Sequence, residues 1–214
     1  SFVANGLVPA NFTPVPENGE DFRTVSGDLV TFDAESAKAN WDKGLAELGV
    51  DAVKLELLVD DDETTKLITE YIANQLQTNL PGLTITLKQV PKEQRLDLDT
   101  NMDYELQISR WGPDFLDPYT YMNLWVTDGG NNKMGYSNSE YDELVQETVT
   151  TLATDNVVRY ENFLKAEKIL FDDAAIAPIY QNSKAQLLSP KIEGLSTNSF
   201  VSQNEFKWAT IKNE

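Results

Sequence analysis

The sequence predicts an α/β fold with a mixed, partly parallel sheet flanked by helices, and three observations carry that prediction. Val53, Leu55, Leu57 and Val59 alternate with mostly polar neighbours, which is the period of a strand, and Leu83, Ile85 and Leu87 do the same. Between the two runs, Leu67, Ile68, Tyr71, Ile72 and Leu76 recur at helical spacing. A strand–helix–strand order then implies a parallel pair joined by a right-handed crossover. The 214 residues, set against about 150 per domain, allow one domain or one and a half. With 41% apolar and 10% aromatic residues, the chain has enough side-chain volume for a sizeable core.

Residues 1–31 show no sustained period and carry Pro9, Pro14, Pro16, Gly19 and Gly27, so they read as an extended segment or long loop. The first helix starts at Asp33 as N-cap, runs through Ala37, Trp41, Leu45 and Leu48, and stops at Gly49. Pro81-Gly82 separates the second helix from the second strand. A third strand is expected from Tyr104 to Trp111, ending at Gly112-Pro113. An aromatic, proline-bearing loop over 112–136 follows. Two helices come next, over about 139–153 (Tyr141, Leu144, Val145, Leu152) and about 156–173 (Tyr160, Phe163, Leu164, Leu170). Ala177-Pro178-Ile179-Tyr180 opens an extended stretch ending near Leu188, and residues 206–211 alternate like a last strand.

Composition removes whole classes of function. The formal net charge of −18 opposes a phosphate-binding surface, hence nucleic acid, and also opposes docking on an anionic membrane face. Cysteine and histidine are absent, which removes thiol nucleophiles, disulfides, Cys/His zinc sites and any Ser-His-Asp triad. Borderline transition metals lose their preferred ligands, so neither a metal nor another cofactor is expected. No run of about 18 apolar residues occurs that would span a bilayer.

Two acidic clusters read as helix starts. In Asp60-Asp61-Asp62-Glu63, Asp60 is the expected cap with Glu63 reaching back, and the spacing of a calcium loop is missing. Ser137 with Glu140, or Ser139 with Asp142, has the same capping-box spacing.

The segment Arg110-Trp111-Gly112-Pro113-Asp114-Phe115-Leu116-Asp117-Pro118-Tyr119-Thr120-Tyr121 carries the chemistry. Ligands of open α/β sheets sit beyond the carboxyl ends of strands, and Trp111 stands at such an end. Trp111, Phe115, Tyr119 and Tyr121 with the carboxylate of Asp114 suit a ligand bearing an ammonium group. The plain structural alternatives are an Asx-type turn at Asp114 and an N-cap at Asp117 with Pro118 in the first helical position. A two-carboxylate hydrolase using Asp114 and Asp117 is a weaker reading, because residues three apart in a proline-flanked turn rarely aim at one point.

The chain resembles the extracellular solute-binding proteins of ATP-binding-cassette peptide importers, the oligopeptide/dipeptide-binding class of family 5. The resemblance rests, in order, on Asn5-Gly6-Leu7-Val8-Pro9, on Phe32-Asp33-Ala34-Glu35-Ser36-Ala37-Lys38, on Trp111–Pro118, and on Tyr136-Ser137-Asn138-Ser139-Glu140-Tyr141-Asp142-Glu143-Leu144 leading to Ala177-Pro178-Ile179-Tyr180. It implies a periplasmic-binding-protein-like fold. Residues 1–200 would be the C-terminal ligand-binding lobe of a two-lobed protein, and 201–214 a tail returning to the other lobe. It further implies a binding protein rather than an enzyme: a monomer that takes an extracellular peptide to a membrane permease. Such a protein is periplasmic or a cell-surface lipoprotein, with its signal sequence and lipid-bearing cysteine outside this sequence. The aspartate of the family's Trp-x-x-Asp motif pairs with the peptide α-ammonium, a role that falls on Asp114 beside Trp111. Members that bind nickel, haem or sugars share the scaffold, so a different solute is the alternative.

Overall fold

The computed structural model describes residues 1–198 and 204–212. Its elements in chain order are β1 (Phe2–Val3), α1 (Phe22–Ser26), α2 (Ala34–Leu48), β2 (Val53–Asp60), α3 (Glu63–Asn79), β3 (Leu83–Val90), α4 (Lys92–Thr100) and β4 (Leu106–Gln107). There follow α5 (Tyr119–Met122), α6 (Ser139–Glu147), α7 (Asn156–Asp172), β5 (Tyr180–Gln181), β6 (Ile192–Glu193), β7 (Ser196–Thr197), β8 (Asn204–Glu205) and β9 (Thr210–Ile211). The chain forms two compact units, residues 32–110 and residues 1–31 with 111–214.

In residues 32–110, β2 and β3 pair in parallel from Val53↔Leu83 to Asp60↔Val90, with α3 as the crossover. β4 joins the other side of β2, also in parallel, giving the order β3-β2-β4. The sheet expected as mixed is therefore parallel throughout its three described strands, and antiparallel pairing among the described residues appears in separate two-stranded ladders and in an isolated bridge between Pro14 and Asp21. The third strand is also shorter than the 104–111 expected: only Leu106 and Gln107 are laddered, with the Ile108 N–H extending the pairing to the Leu58 carbonyl at 3.1 Å.

Helix ends follow side-chain chemistry. Asp33 accepts the Ser36 N–H at 2.9 Å, and Gly49 closes α2 in the left-handed conformation, both as the sequence indicates. At α3 the cap is Asp62, accepting the Thr65 N–H at 3.0 Å, and not Asp60. Asp60 is the last residue of β2, too early to cap, and its carboxylate instead takes the Arg95 Nε at 2.6 Å. Gly82 is required where it stands: its φ is +87° and a Cβ would lie 2.5 Å from the Asp51 carbonyl oxygen.

The core of this unit is Leu57, Val59, Ala73, Leu83 and Ile85. The face of α3 that is buried holds Thr65, Thr69 and Ala73, while Leu67 and Tyr71 are exposed. Of the apolar face read in the sequence, Ile68 and Ile72 are half-buried, and Leu76 is exposed with Leu67 and Tyr71. Small side chains let a helix approach a sheet closely, and the Thr69 hydroxyl satisfies itself on the Lys66 carbonyl at 3.1 Å. Helix α4 has too few apolar residues for its period to register; its one buried side chain is Arg95.

In the other unit, α5, α6 and α7 pack with residues 1–31 around Val8, Phe12, Val15, Phe22, Tyr121, Met122, Tyr141, Val145, Tyr160, Phe163, Ala166 and Leu170. The N-terminal segment is thus an integral part of this core. At its centre Glu167, fully buried, accepts the Leu7 and Val8 N–H groups at 2.8 and 2.9 Å and the Ser26 hydroxyl at 2.7 Å. Two nitrogens of Arg23 reach it at 2.8 and 2.6 Å. Gly6 leaves room for that guanidinium, since a Cβ there would lie 1.4 Å from Arg23 Nη1.

Asn138 caps α6, accepting the N–H groups of Glu140 and Tyr141 at 3.0 and 3.2 Å. Neither serine caps it, because the cap must directly precede Ser139, the first helical residue. The helix stops at Glu147 rather than 153, where the Thr148 hydroxyl turns back to the Val145 carbonyl at 2.6 Å. Of the extended stretch 177–188 only Tyr180–Gln181 is laddered, antiparallel to Phe2–Val3. In the tail, Thr210–Ile211 pairs with Ile192–Glu193, and Phe206, Trp208 and Ile211 are exposed. Residues 201–203, 213 and 214 of the expected tail lie outside the described residues.

Candidate functional site

The turn between Trp111 and α5 is closed by its own hydrogen bonds. The Asp114 N–H donates to the Thr120 hydroxyl oxygen at 3.0 Å, and the Asp117 N–H to the Phe115 carbonyl at 3.0 Å. Asp117 Oδ1 accepts the Tyr119 N–H at 2.9 Å, and Pro118 sits in helical conformation at the start of α5. The expected arrangement is thus displaced by one residue: Pro118 holds the cap position and Tyr119 is the first helical residue, while the Asp117 side chain still accepts the first helical N–H.

Asp117 has a second partner that the sequence did not reveal. Arg159 of α7 grips it with two parallel bonds, Nη1 to Oδ2 at 2.6 Å and Nη2 to Oδ1 at 2.9 Å. The remaining guanidinium nitrogen, Nε, donates to the Thr148 carbonyl at 2.8 Å, and Cζ lies 4.8 Å from the centre of the Phe163 ring. Both side chains are largely buried. A carboxylate so occupied cannot share a substrate with Asp114, and the two-carboxylate hydrolase loses its second group. Arg159 sits at helical spacing from Phe163, but nothing in that spacing names Asp117 as its partner.

Asp114 is different. Its side chain is exposed and, among the described residues, holds no hydrogen bond or ion pair. Around it in sequence, Trp111 and Phe115 are 41% and 44% exposed, unusually open for rings of their size. Phe115 stacks on Tyr119 with centroids 6.5 Å apart and planes 19° from parallel, and the Tyr119 hydroxyl donates to Asn123 Oδ1 at 3.1 Å. Tyr121 corrects the sequence reading. It is 5% exposed, set edge-on to Phe12 at 5.3 Å within the core, and burial pushes its phenol pKa far up. Of the four expected aromatics, Trp111 and Phe115 are therefore exposed beside one free carboxylate, Tyr119 is half-buried against the core, and Tyr121 is inside it.

Among the described residues there is no group of three or more acidic side chains placed to hold a metal ion, and no helix long and apolar enough to cross a membrane. A shallow cavity of about 420 Å³ lined by Glu56, Met102, Asp103, Tyr104 and Glu105 lies in the other unit. Its carboxylates are partly spent: Glu56 pairs with Lys88 at 3.0 Å, and Glu105 accepts the Glu56 N–H at 2.6 Å.

Comparison with known proteins matches residues 1–133 to the family described as bacterial extracellular solute-binding proteins, family 5 middle. The dipeptide-binding protein of Lactococcus lactis subsp. cremoris is 33% identical over 208 residues, covering 94% of this chain and 38% of the relative. Among solved structures, Listeria monocytogenes OppA bound to peptide superimposes with a TM-score of 0.86 at 41% identity, over 99% of this chain and 40% of that one. The substrate-binding domain of an oligopeptide ABC transporter from Bacillus anthracis gives a TM-score of 0.88 at 32% identity, over 99% and 41%. The chain thus spans about two fifths of the length of these relatives.

Proposed function

The chain belongs to family 5 of the bacterial extracellular solute-binding proteins, and from that premise we propose that it is the C-terminal ligand-binding lobe, residues 1–200, of a clamp for extracellular peptides. Residues 201–214 would then return to the other lobe, which accounts for the exposure of Phe206, Trp208 and Ile211. The complete protein, a monomer, delivers its peptide to the permease of an ABC importer from the periplasm or from a lipid anchor on the cell surface. It performs no catalysis.

One observation carries the reading: the exposed, unpartnered carboxylate of Asp114 on a turn lined by Trp111, Phe115 and Tyr119. A peptide α-ammonium brought there is desolvated and needs a counter-charge, while aromatic faces favour both the cation and the first side chain. The relatives support a peptide over another solute, since they are named for dipeptides and oligopeptides and one was solved with peptide bound.

The test is calorimetry of the full-length protein against peptides with free and N-acetylated amino termini. Asp114→Asn keeps the shape and removes the charge, so the free-amine peptide should bind at least about a hundredfold more weakly, on the order of 3 kcal/mol. The acetylated peptide should barely respond. Equal wild-type affinity for the two forms defeats the assignment.

A further inference from the structure

We propose that Arg159 is a positioning residue for ligand recognition. By holding Asp117 it sets the turn that presents Asp114, and it decides which of the two carboxylates is left for the ligand. This rests on the reading of Asp114 as the ammonium partner.

The connection can be followed bond by bond. Arg159 reaches across 42 residues to Asp117 with two bonds of 2.6 and 2.9 Å. Asp117 Oδ1, one of the two oxygens so held, also accepts the Tyr119 N–H that begins α5. The Thr120 N–H donates to the Asp117 carbonyl at 3.1 Å, and the Thr120 hydroxyl in turn accepts the Asp114 N–H at 3.0 Å. The Asp117 N–H closes the intervening residues onto Phe115. No link in this chain is longer than 3.1 Å, and it runs from a helix in the core to the backbone of Asp114.

Arg159 is itself immobilised. Its third guanidinium nitrogen is spent on Thr148, and its plane is carried on the Phe163 ring. Its side chain is 13% exposed, whereas in the surface pair Lys168–Asp172 both partners are more than 60% exposed. A bidentate, largely buried pair directs geometry; an exposed one contributes little.

The pair also settles the electrostatics. Asp114 and Asp117 are two carboxylic side chains three residues apart. The guanidinium cancels Asp117, so the turn offers one net negative charge, matched to one ammonium. Without Arg159 a second carboxylate would compete for the ligand cation, and the turn would lose its anchor.

The experiment measures, on the full-length protein, the ratio of affinities for the tightest peptide of a defined dipeptide-to-pentapeptide library and the same peptide N-acetylated. Arg159→Lys replaces the planar fork with a point charge, and Asp117→Asn keeps an acceptor for Tyr119 while removing the charge. Each should lower the free-to-acetylated ratio about tenfold. The ratio is informative even if a variant is partly unfolded, because loss of competent protein weakens both peptides equally. Tyr141→Phe, which removes the 2.6 Å bond to the Met122 carbonyl elsewhere in the same unit, should leave the ratio unchanged. A large wild-type ratio that survives both variants overturns the role of Arg159 and leaves Asp114 standing. A wild-type ratio near one overturns Asp114 first and Arg159 with it.

Discussion

In residues 32–110 the core side chains Leu57, Val59, Ala73, Leu83 and Ile85 come from one strand–helix–strand run. In the other unit Val8, Phe12 and Phe22 share a core with Tyr141, Tyr160 and Phe163, and Leu7 bonds a carboxylate 160 residues away. The first unit is assembled from local periodicity. The second is assembled around a buried charge, with Glu167 accepting from two backbone amides, a hydroxyl and a guanidinium. A segment without periodicity, residues 1–31, can be a permanent part of a core when its backbone amides have such a partner.

The strongest way to break this comparison is Glu167→Gln. Arg23 would remain buried against a neutral amide, and losing one member of a buried pair costs about 3–5 kcal/mol. Urea unfolding followed by amide exchange should show protection lost around residues 7–23 and 160–170, with β2 and β3 keeping theirs. Equal loss in both places would mean that the two units do not differ in the way described. A smaller effect is expected from Asp60→Asn, the nearest counterpart in residues 32–110. Arg95 is buried there, but Asp60 is 22% exposed, so water compensates in part and the cost should be about 1.5–3 kcal/mol. A urea midpoint shifted as far as that of Glu167→Gln would erase the contrast.

The finest test uses acid. Asp62 lies below the usual carboxylate value because the Thr65 hydroxyl and N–H, and then Arg110, favour its charged form. Asp33 is lowered by the Ser36 N–H and hydroxyl, and Asp173 by the Tyr136 hydroxyl and Asn138. A carboxylate lowered on folding contributes stability above its ordinary value of 3.8 and loses it as pH falls through the lower folded value. Asp62→Ala should therefore cost about 1 kcal/mol at neutral pH, as caps do. Its gap from wild type should close between pH 4 and the acid limit. A gap constant down to pH 2 would assign the loss to something other than the charged cap.

The candidate site was legible to the extent that its chemistry is local. Trp111, Asp114 and Asp117-Pro118 announce a turn with a carboxylate before a helix, and that turn forms as the residues imply. Tyr121 was not legible. It has the same composition signal as Phe115 and Tyr119, and it is inside because it packs in a core that includes Phe12, from the far end of the chain. The partly misread face of α3 has the same origin: Leu67 and Tyr71 are the better hydrophobes, yet the short side chains of Thr65, Thr69 and Ala73 are the ones buried, with Ile68 and Ile72 half-buried beside them.

What the sequence determined by itself are the features whose energy is settled within a few residues. Asp33 and Gly49 bracket α2, Pro81-Gly82 ends α3, and the alternation in 53–59 and 83–87 makes parallel partners, because caps, turns and pleats depend on neighbours along the chain. Packing in three dimensions, by contrast, selects which charge is buried and which is free. Asp60, Asp62, Asp114 and Asp117 are chemically alike. Asp62 caps α3 through its near neighbour Thr65, whereas Asp60 and Asp117 are taken by Arg95 and Arg159, 35 and 42 residues away, and Asp114 is left to solvent. A carboxylate's role follows from the partner that desolvates with it, and that partner is chosen by packing in three dimensions.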